Sequence, residues 1–359
     1  MAGYFPKDGT RENGFCDGQN SVPAKFERLK VWRCERGAEV VFSGPVQFHD
    51  FIMLDNEKAG MEFVEVEGGY GEDGPGIFGG MVVGHSEISA DDEDPEYCTH
   101  EGVIGPKLWS SQINGTKFVN FDRPTCYSIG TCSQCTTLTA SLPIQTEGLS
   151  FVNSPNKVTW RWIFSGSIND LDGSLSGQAG ATVVTAAQIY PPECVDDSGT
   201  DFSGNIAGTI CGPSVSLGRM AFNKPHPESL LYNEVIATTQ YGAENLEWRK
   251  KDITHKSGWN GIFPLGGAVA LEWVNHTQMT NISYELSAWN LESPGQFILV
   301  QHQFNQEPDK VGIVPGTPPI WVNESLASIP DVNSLNGEFH FDSDTLVLTY
   351  VLSGNTGRK

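Results

Sequence analysis

Basic side chains are scarce in this sequence. Against 44 Asp and Glu stand 22 Lys and Arg, a formal net charge of −22. Nucleic acids and anionic membranes attract proteins by counterion release to a basic surface, so this balance excludes both as general partners. It also counts against tight binding of polyanionic glycans away from a local basic patch. Long apolar runs are missing as well. No stretch reaches the ~20 residues that span a bilayer, and the opening MAGYFPKDGTRENG lacks the apolar core of a secretion signal. No segment holds apolar spacing near 3.6 for long, which excludes extended amphipathic helices. Neither a Ser-His-Asp arrangement, a phosphate-binding glycine loop nor a dinucleotide fingerprint is present.

What is abundant points the other way. The 40 glycines and 21 prolines among 359 residues call for many short elements joined by turns. Strings such as VVFSG, ATVVTA, FILVQHQF and TLVLTYVLSG carry the β-branched and aromatic side chains that strands favour. The length suits one large core or two domains. The acidic run from Glu87 to Glu96 reads as a solvated loop, with a calcium-binding loop as the sharper alternative.

Eight cysteines, Cys16, Cys34, Cys98, Cys126, Cys132, Cys135, Cys194 and Cys211, accompany four Asn-x-Ser/Thr sequons at Asn114, Asn275, Asn281 and Asn323. An even cysteine count with several glycosylation signals indicates an oxidising, secretory compartment. A secretory interior without a secretion signal predicts a piece of a longer extracellular or cell-surface protein, attached to a membrane only through a span absent from this chain. Cys126-x5-Cys132-x2-Cys135 holds one Cys-x2-Cys unit where a structural zinc site needs two, so disulfides are the preferred reading. Eight cysteines allow 105 pairings. The expected ones are Cys194 with Cys211, Cys98 with one member of the 126–135 cluster, and Cys16 with Cys34.

The first half repeats itself. Phe26 and Leu29 answer Phe48 and Phe51; Cys34 answers Asn56; Gly37-Ala-Glu-Val answers Gly60-Met-Glu-Phe. The period of about 22–23 residues lies in the range of solenoids. Looser copies follow through Phe78, from Ile113 to Cys126 and from Leu149 to Trp162. A leucine-rich repeat would need a denser leucine pattern. The expectation is therefore a right-handed parallel β-helix over 1–185, of the pectin-lyase-like kind, with surface loops at 66–76 and 86–107. Asn56 and Asn120 are candidates for an inward asparagine ladder. A disulfide-closed connector over 186–225 and a smaller antiparallel β-sandwich over 226–359 are expected to follow. In the latter, Phe339, Phe341, Leu346, Leu348 and Tyr350 share a face and Asp342-Ser-Asp-Thr makes the turn.

The string GPVQFHDFIMLDNEKAGMEF resembles the coils of the fibrocystin and fibrocystin-L family, the polycystic kidney and hepatic disease family. So do FVNFDRPTC at 118–126, TWRWIF at 159–164, DLDGSLSG at 170–177, RMAFNKPHPESLL at 219–231, THKSGW at 254–259 and TNISYE at 280–285. The cell-migration-inducing cell-surface hyaluronidases are more distant relatives. The resemblance implies a very large extracellular protein with one membrane span and parallel β-helix repeats, in a receptor-like or structural role. G8 segments and immunoglobulin-like repeats, which the family also carries, are not seen in this chain.

Candidate sites follow from the residues. Asp170-Leu-Asp-Gly-Ser is similar to the opening of a calcium loop, with Asp170 and Asp172 as ligands and Asn169 as a helper. A tight Asp-Gly turn between strands is the competing reading. Calcium is the one cofactor in view. Glycan chemistry on a β-helix face would use paired carboxylates, or a base with a cation. Asp55, Glu62, His85, His100, Asp122 and Arg123 are the candidates, though no spacing forces them together. Trp109, Trp160, Trp162, Trp259, Trp273, Trp289 and Trp321 could stack on sugars, but Trp160 and Trp162 share one strand face and are expected in the core. The sequence thus predicts a non-catalytic extracellular scaffold or adhesion segment with protein or glycan partners. A glycan-binding or hyaluronan-depolymerising β-helix enzyme is the alternative.

Overall fold

The computed structural model describes residues 22–87, 96–131, 133, 141–160, 166–185, 193–196, 206 and 208–226, and beyond them the strands between 235 and 353. All described elements are strands or turns; no helix occurs among them. The chain divides into two compact units, Met1–Ala186 with Val195–Pro213, and Ala187–Cys194 with Ser214–Lys359.

In the first unit the strands come in threes. β1 (Ala24–Glu27), β2 (Lys30–Trp32) and β3 (Arg36–Val40) open the series. β4 (Val46–His49), β5 (Ile52–Leu54) and β6 (Ala59–Phe63) repeat it. They are followed by β7 (Gly76–Phe78), β8 (Met81–Val83) and β9 (Glu101–Ile104), then β10 (Trp109–Asn114), β11 (Lys117–Val119) and β12 (Tyr127–Thr131). β13 (Ser141–Glu147), β14 (Ser150–Val152) and β15 (Val158–Trp160) complete the set. Each strand pairs in parallel with its counterpart three strands later, so three parallel sheets grow side by side. This pairing is compatible with a parallel β-helix. The first sheet continues through β16 (Ser167–Asp170), which is parallel to β13. It then turns antiparallel through β17 (Ala181–Thr185), with β18 (Val195–Asp196) on the far side of β19 (Gly208–Cys211).

The repeat read in the sequence is the strand register. Phe26 lies beside Phe48, with ring centroids 5.2 Å apart. Ala38 lies beside Met61 and Glu39 beside Glu62. The middle sheet shows most simply why these residues stack. Its three-residue strands point one side chain inward, giving the column Val31, Met53, Val82, Phe118 and Phe151, and two outward. Met53, Val82 and Phe118 have no exposed surface. One such triplet cannot bury its own apolar residue; the stack can.

The corners on either side of the middle strands impose a second rule. Arg28, Asp50, Gly79, Gly115 and Gly148 take positive φ before it, and Arg33, Asp55, Asn120 and Asn153 take positive φ after it. Glycine, Asn and Asp adopt this conformation most cheaply. Close approach imposes a third. A Cβ on Gly60 would lie 2.5 Å from the carbonyl oxygen of Gly102.

Some expectations change. The 66–76 and 86–107 inserts are not loops throughout: Gly76 begins β7, and β9 runs through 101–104. Asn56 and Asn120 do not form one ladder. Asn120 shares its corner with Asp55, since the N–H of Asp55 bonds Val83 and that of Asn120 bonds Val152 at the same place two levels further on. Asn56 is one residue further on, where its Oδ1 accepts the Cys34 N–H at 3.1 Å. Ser154 does the same job for Phe121 higher up, at 3.1 Å.

In the second unit, β20 (Leu217–His226) lies within the stretch expected to be connector. It is nonetheless a ten-residue strand in a sheet. β21 (Val235–Gln240), β22 (Arg249–Asp252), β23 (Gly258–Pro264), β24 (Ala268–Trp273), β25 (Asn281–Trp289), β26 (Phe297–Gln303), β27 (Lys310–Val314), β28 (Ile320–Asn323), β29 (Phe339–Asp342) and β30 (Val347–Ser353) follow. They form a five-stranded sheet, β23-β20-β25-β27-β28, and a six-stranded sheet, β22-β21-β24-β26-β30-β29. The expected antiparallel pairing is interrupted once in each, by the parallel pairs β25–β27 and β24–β26. Phe339 pairs with Tyr350 and Phe341 with Leu348 in the β29–β30 ladder. The expected turn residues 343–346 lie outside the described residues.

Candidate functional site

The corner that follows the middle strands gathers most of the candidate residues. His85 leaves β8 and Asp122 leaves β11, so they sit one level apart, and His85 Nε2 lies 2.7 Å from Asp122 Oδ1. The other carboxylate oxygen accepts from Asn153 Nδ2 at 2.9 Å. The same amide reaches Asn120 Oδ1 at 3.0 Å, and Asn120 Nδ2 donates to the His85 carbonyl at 2.9 Å. Burial works toward protonating Asp122, but the hydrogen bonds from His85 and Asn153 outweigh it and hold the carboxyl below its ordinary value. An ionised Asp122 therefore fixes the orientation of the His85 ring.

Asp55 lies deeper at the same corner, with no exposed surface. Its Oδ2 accepts from Ser86 Oγ at 2.6 Å and its carbonyl from Tyr97 Oη at 2.7 Å. Arg123 in turn donates to the Tyr97 carbonyl, and its own carbonyl accepts from Asn156 Nδ2 at 2.7 Å. Cys98 and Cys126, 28 residues apart, close the segment with a disulfide. The insert between β8 and β9 is thus clamped at both ends by side chains from neighbouring levels.

The remaining candidates lie elsewhere. Glu62 is buried on the third sheet, where Arg36 and Ser133 bond its two oxygens. His100 is exposed, and its backbone joins the ladder through Glu57 and Tyr127. Hydrolysis of a glycosidic bond needs two carboxyl groups flanking an accessible cleft. Of this set Asp122 is exposed, whereas Asp55 and Glu62 are buried.

Asp170 and Asp172 are held by donors. Asp170 Oδ2 accepts the N–H and Oγ–H of Ser176, both at 2.7 Å, and Oδ1 accepts the Leu175 N–H at 3.3 Å. Asp172 takes the N–H and Oγ–H of Ser174 and the N–H of Gly148. Burial opposes its ionisation, yet those bonds hold its carboxyl below the usual range. Asn169 Oδ1 faces Thr182 Oγ1 at 3.3 Å. These bonds tie down the ten-residue connection 171–180 between β16 and β17. Among the described residues no group of three or more His, Cys, Asp or Glu is placed to hold a metal ion.

Cys194 and Cys211 are each in a disulfide. Cys34 is a free, exposed thiol 3.6 Å from the Trp32 carbonyl oxygen, and its expected partner Cys16 lies outside the described residues. Its backbone is fixed by Asn56 at the corner, and its side chain points out of the stack. Cys16, Cys132 and Cys135 lie outside the described residues. Asn114 ends β10 half-exposed, its Nδ2 3.3 Å from Glu147. Asn281 begins β25 and Asn323 ends β28, each in register with Lys310 of β27 between them. Asn275 lies outside the described residues. Trp160 packs partly buried against the core and donates to the Ile206 carbonyl at 3.2 Å. Trp162 is not described.

No family model matches the chain, and no solved structure matches it. Fibrocystin-L of Mus musculus is 32% identical over 98% of the chain, and fibrocystin-L of Homo sapiens 31% identical over 98%. Fibrocystin of Canis lupus familiaris is 23% identical over 92%. The chain spans about 8% of the length of each of these relatives. With two fibrocystin-L sequences aligned along almost its entire length and fibrocystin behind them, the chain belongs to the fibrocystin-like family.

Proposed function

We propose that the chain is a non-catalytic scaffold or adhesion segment of a cell-surface, receptor-like protein, with its first unit wound as a right-handed parallel β-helix and its second folded as a β-sandwich. One observation carries this reading: most of the polar side chains that chemistry would need join neighbouring levels. His85, Asp122, Asn120 and Asn153 bond one another across the corner, Glu62 is buried with both oxygens bonded, and Asp55 is buried with Oδ2 bonded to Ser86 and Oδ1 unpartnered. The disulfides support an extracellular location, and the fibrocystin-L relatives support a surface receptor-like role. Partners on this reading are other extracellular proteins.

The His85–Asp122 pair favours a second reading. A histidine oriented by an ionised carboxylate is the form a general base takes, and the pair is partly exposed, at 15% and 32% of the two side chains. A glycan-depolymerising enzyme would use it. Hyaluronan and a panel of neutral glycans are incubated with the folded, secreted chain, with and without calcium, and polymer length is followed by gel electrophoresis. Unchanged lengths are expected. Shortening that disappears in His85→Ala and Asp122→Asn overturns the scaffold reading in favour of the enzyme.

A further inference from the structure

The middle parallel sheet presents an outer face that neither the repeat nor the candidate chemistry accounts for. Its inward column fills the core, so alternation turns the flanking residues outward. One outward column reads Trp32, Leu54, Val83, Val119 and Val152, matched in register across five strands. Every member is apolar. The ends of the column are open, Trp32 at 51% and Val152 at 46% exposed; Leu54 and Val119 are half-buried, and Val83 at the centre is buried at 7%. Beside it runs a second column with Ile52 and Met81 at its centre and the exposed Lys30 and Lys117 further along. No carboxylate faces outward from these strands, in a chain where acids outnumber bases 44 to 22.

Five strands about 4.8 Å apart make a strip ~19 Å long, and three-residue strands make it ~10 Å wide. That falls well short of the ~800 Å² each partner buries in a stable complex, so a second copy of this chain cannot be held by this face alone. It is the footprint of one α-helix, ~10 Å across, lying along the apolar column for ~13 residues. Lys30 and Lys117 lie on the same side of the strip, ~14 Å apart over three strand steps, and would face carboxylates three turns, about eleven residues, apart on one face of such a helix. The rest of this acidic molecule repels an acidic helix, which leaves this face as the favoured landing site.

We infer that the outer face of the middle sheet is a docking strip for an acidic amphipathic helix of a protein partner. This deepens the scaffold reading and rests on it. The helix lays an apolar stripe on Trp32, Leu54, Val119 and Val152, across the buried Val83, and turns its carboxylates toward Lys30 and Lys117.

The test uses the full chain and three peptides about 18 residues long, five helical turns. They share one leucine stripe and are flanked along one side by Glu, Gln or Lys. Fluorescence anisotropy of the labelled peptides should rank binding Glu over Gln over Lys. Lys30→Glu with Lys117→Glu, both at exposed sites that leave the core untouched, should weaken the Glu peptide about tenfold and favour the Lys peptide. Leu54→Asp with Val119→Asp should abolish binding of all three, with circular dichroism confirming the fold. Equal binding of the three peptides, binding that ignores either pair of substitutions, or no binding at all overturns the inference. Attachment to zwitterionic vesicles in place of peptide, or dimerisation by sedimentation that Leu54→Asp with Val119→Asp removes, also overturns it and gives the face to a membrane or a second copy. Failure of the peptides leaves the scaffold reading standing, because glycan shortening is measured separately on the same sample.

Discussion

Asp170 Oδ2 accepts two hydrogen bonds from Ser176, one from its N–H and one from its Oγ–H, each at 2.7 Å. The carboxylate is fully buried. It sits where the parallel first sheet turns into the antiparallel β16–β17 hairpin, and it ties down a turn that Lys157 also holds by donating to the Leu175 carbonyl at 2.7 Å. Removing it strands buried donors at the point where the parallel pairing ends. Asp170→Ala is expected to cost about 2–4 kcal/mol in urea denaturation, since each buried N–H or O–H left unpaired costs about 1–3 kcal/mol. Because the donors already occupy the carboxylate, a chelator is expected to leave the thermal midpoint unchanged. A midpoint that climbs with added calcium would return this loop to the cation reading.

Acid should expose the corner network. The Asp122 carboxyl is held below its ordinary value by His85 and Asn153, against the opposing effect of burial. A group whose pKa is depressed by folding contributes stability above its unfolded pKa and loses it as pH falls through the folded value. The wild-type midpoint in urea should therefore drop as pH is lowered from about 5 to below the ordinary Asp value near 3.9. Asp122→Asn should be less stable at neutral pH and should show a shallower acid loss. Parallel curves for the two proteins over that range would remove Asp122 from the account.

The sequence made part of this legible. Phe26 against Phe48 and Gly37 against Gly60 were readable because bulky aromatics and glycines mark a coil at the same place twice. The corners were harder. Arg28 and Arg33 take the same positive-φ conformation as Gly115 and Asn120, but nothing about arginine announces it. The signal that could have found them is the constant spacing of five between the two corners, as in Asp50 and Asp55 or Gly148 and Asn153, with an apolar residue two before the second. The network of His85, Asp122 and Asn153 was not legible, because residues 31 to 68 apart meet only when the levels stack in register. The exposed column through Trp32 was hidden for a related reason. Each triplet contributes one outward apolar residue at that end, unremarkable singly, and the stack lines them up.

The corner arginines give a prediction of opposite sign. A non-glycine residue in the left-handed region costs about 1 kcal/mol or more, less for Asn than for other side chains. Arg33 is exposed, and the equivalent residues higher in the stack include Asn120 and Asn153. Arg33→Asn should relieve about 0.5–1 kcal/mol of backbone strain in the first unit, set against the loss of the Arg33 side-chain contacts, among them the guanidinium 5.6 Å from the Trp32 ring centroid. A higher thermal midpoint for Arg33→Asn is expected; a lower one would mean that those contacts outweigh the backbone strain.

The disulfide between Cys98 and Cys126 gives the largest expected loss. It closes a loop of 28 residues, for which chain entropy in the unfolded state predicts about 3–4 kcal/mol. The bond also clamps the insert whose near end is fixed by Ser86 on Asp55 and whose far end is fixed by Arg123 on Tyr97. Cys98→Ala with Cys126→Ala should therefore lower global stability by that amount and speed hydrogen exchange at Tyr97 and Thr99 beyond the global change. If exchange there rises only in step with the rest of the first unit, the polar clamps alone hold the insert, and the disulfide acts solely on the unfolded chain.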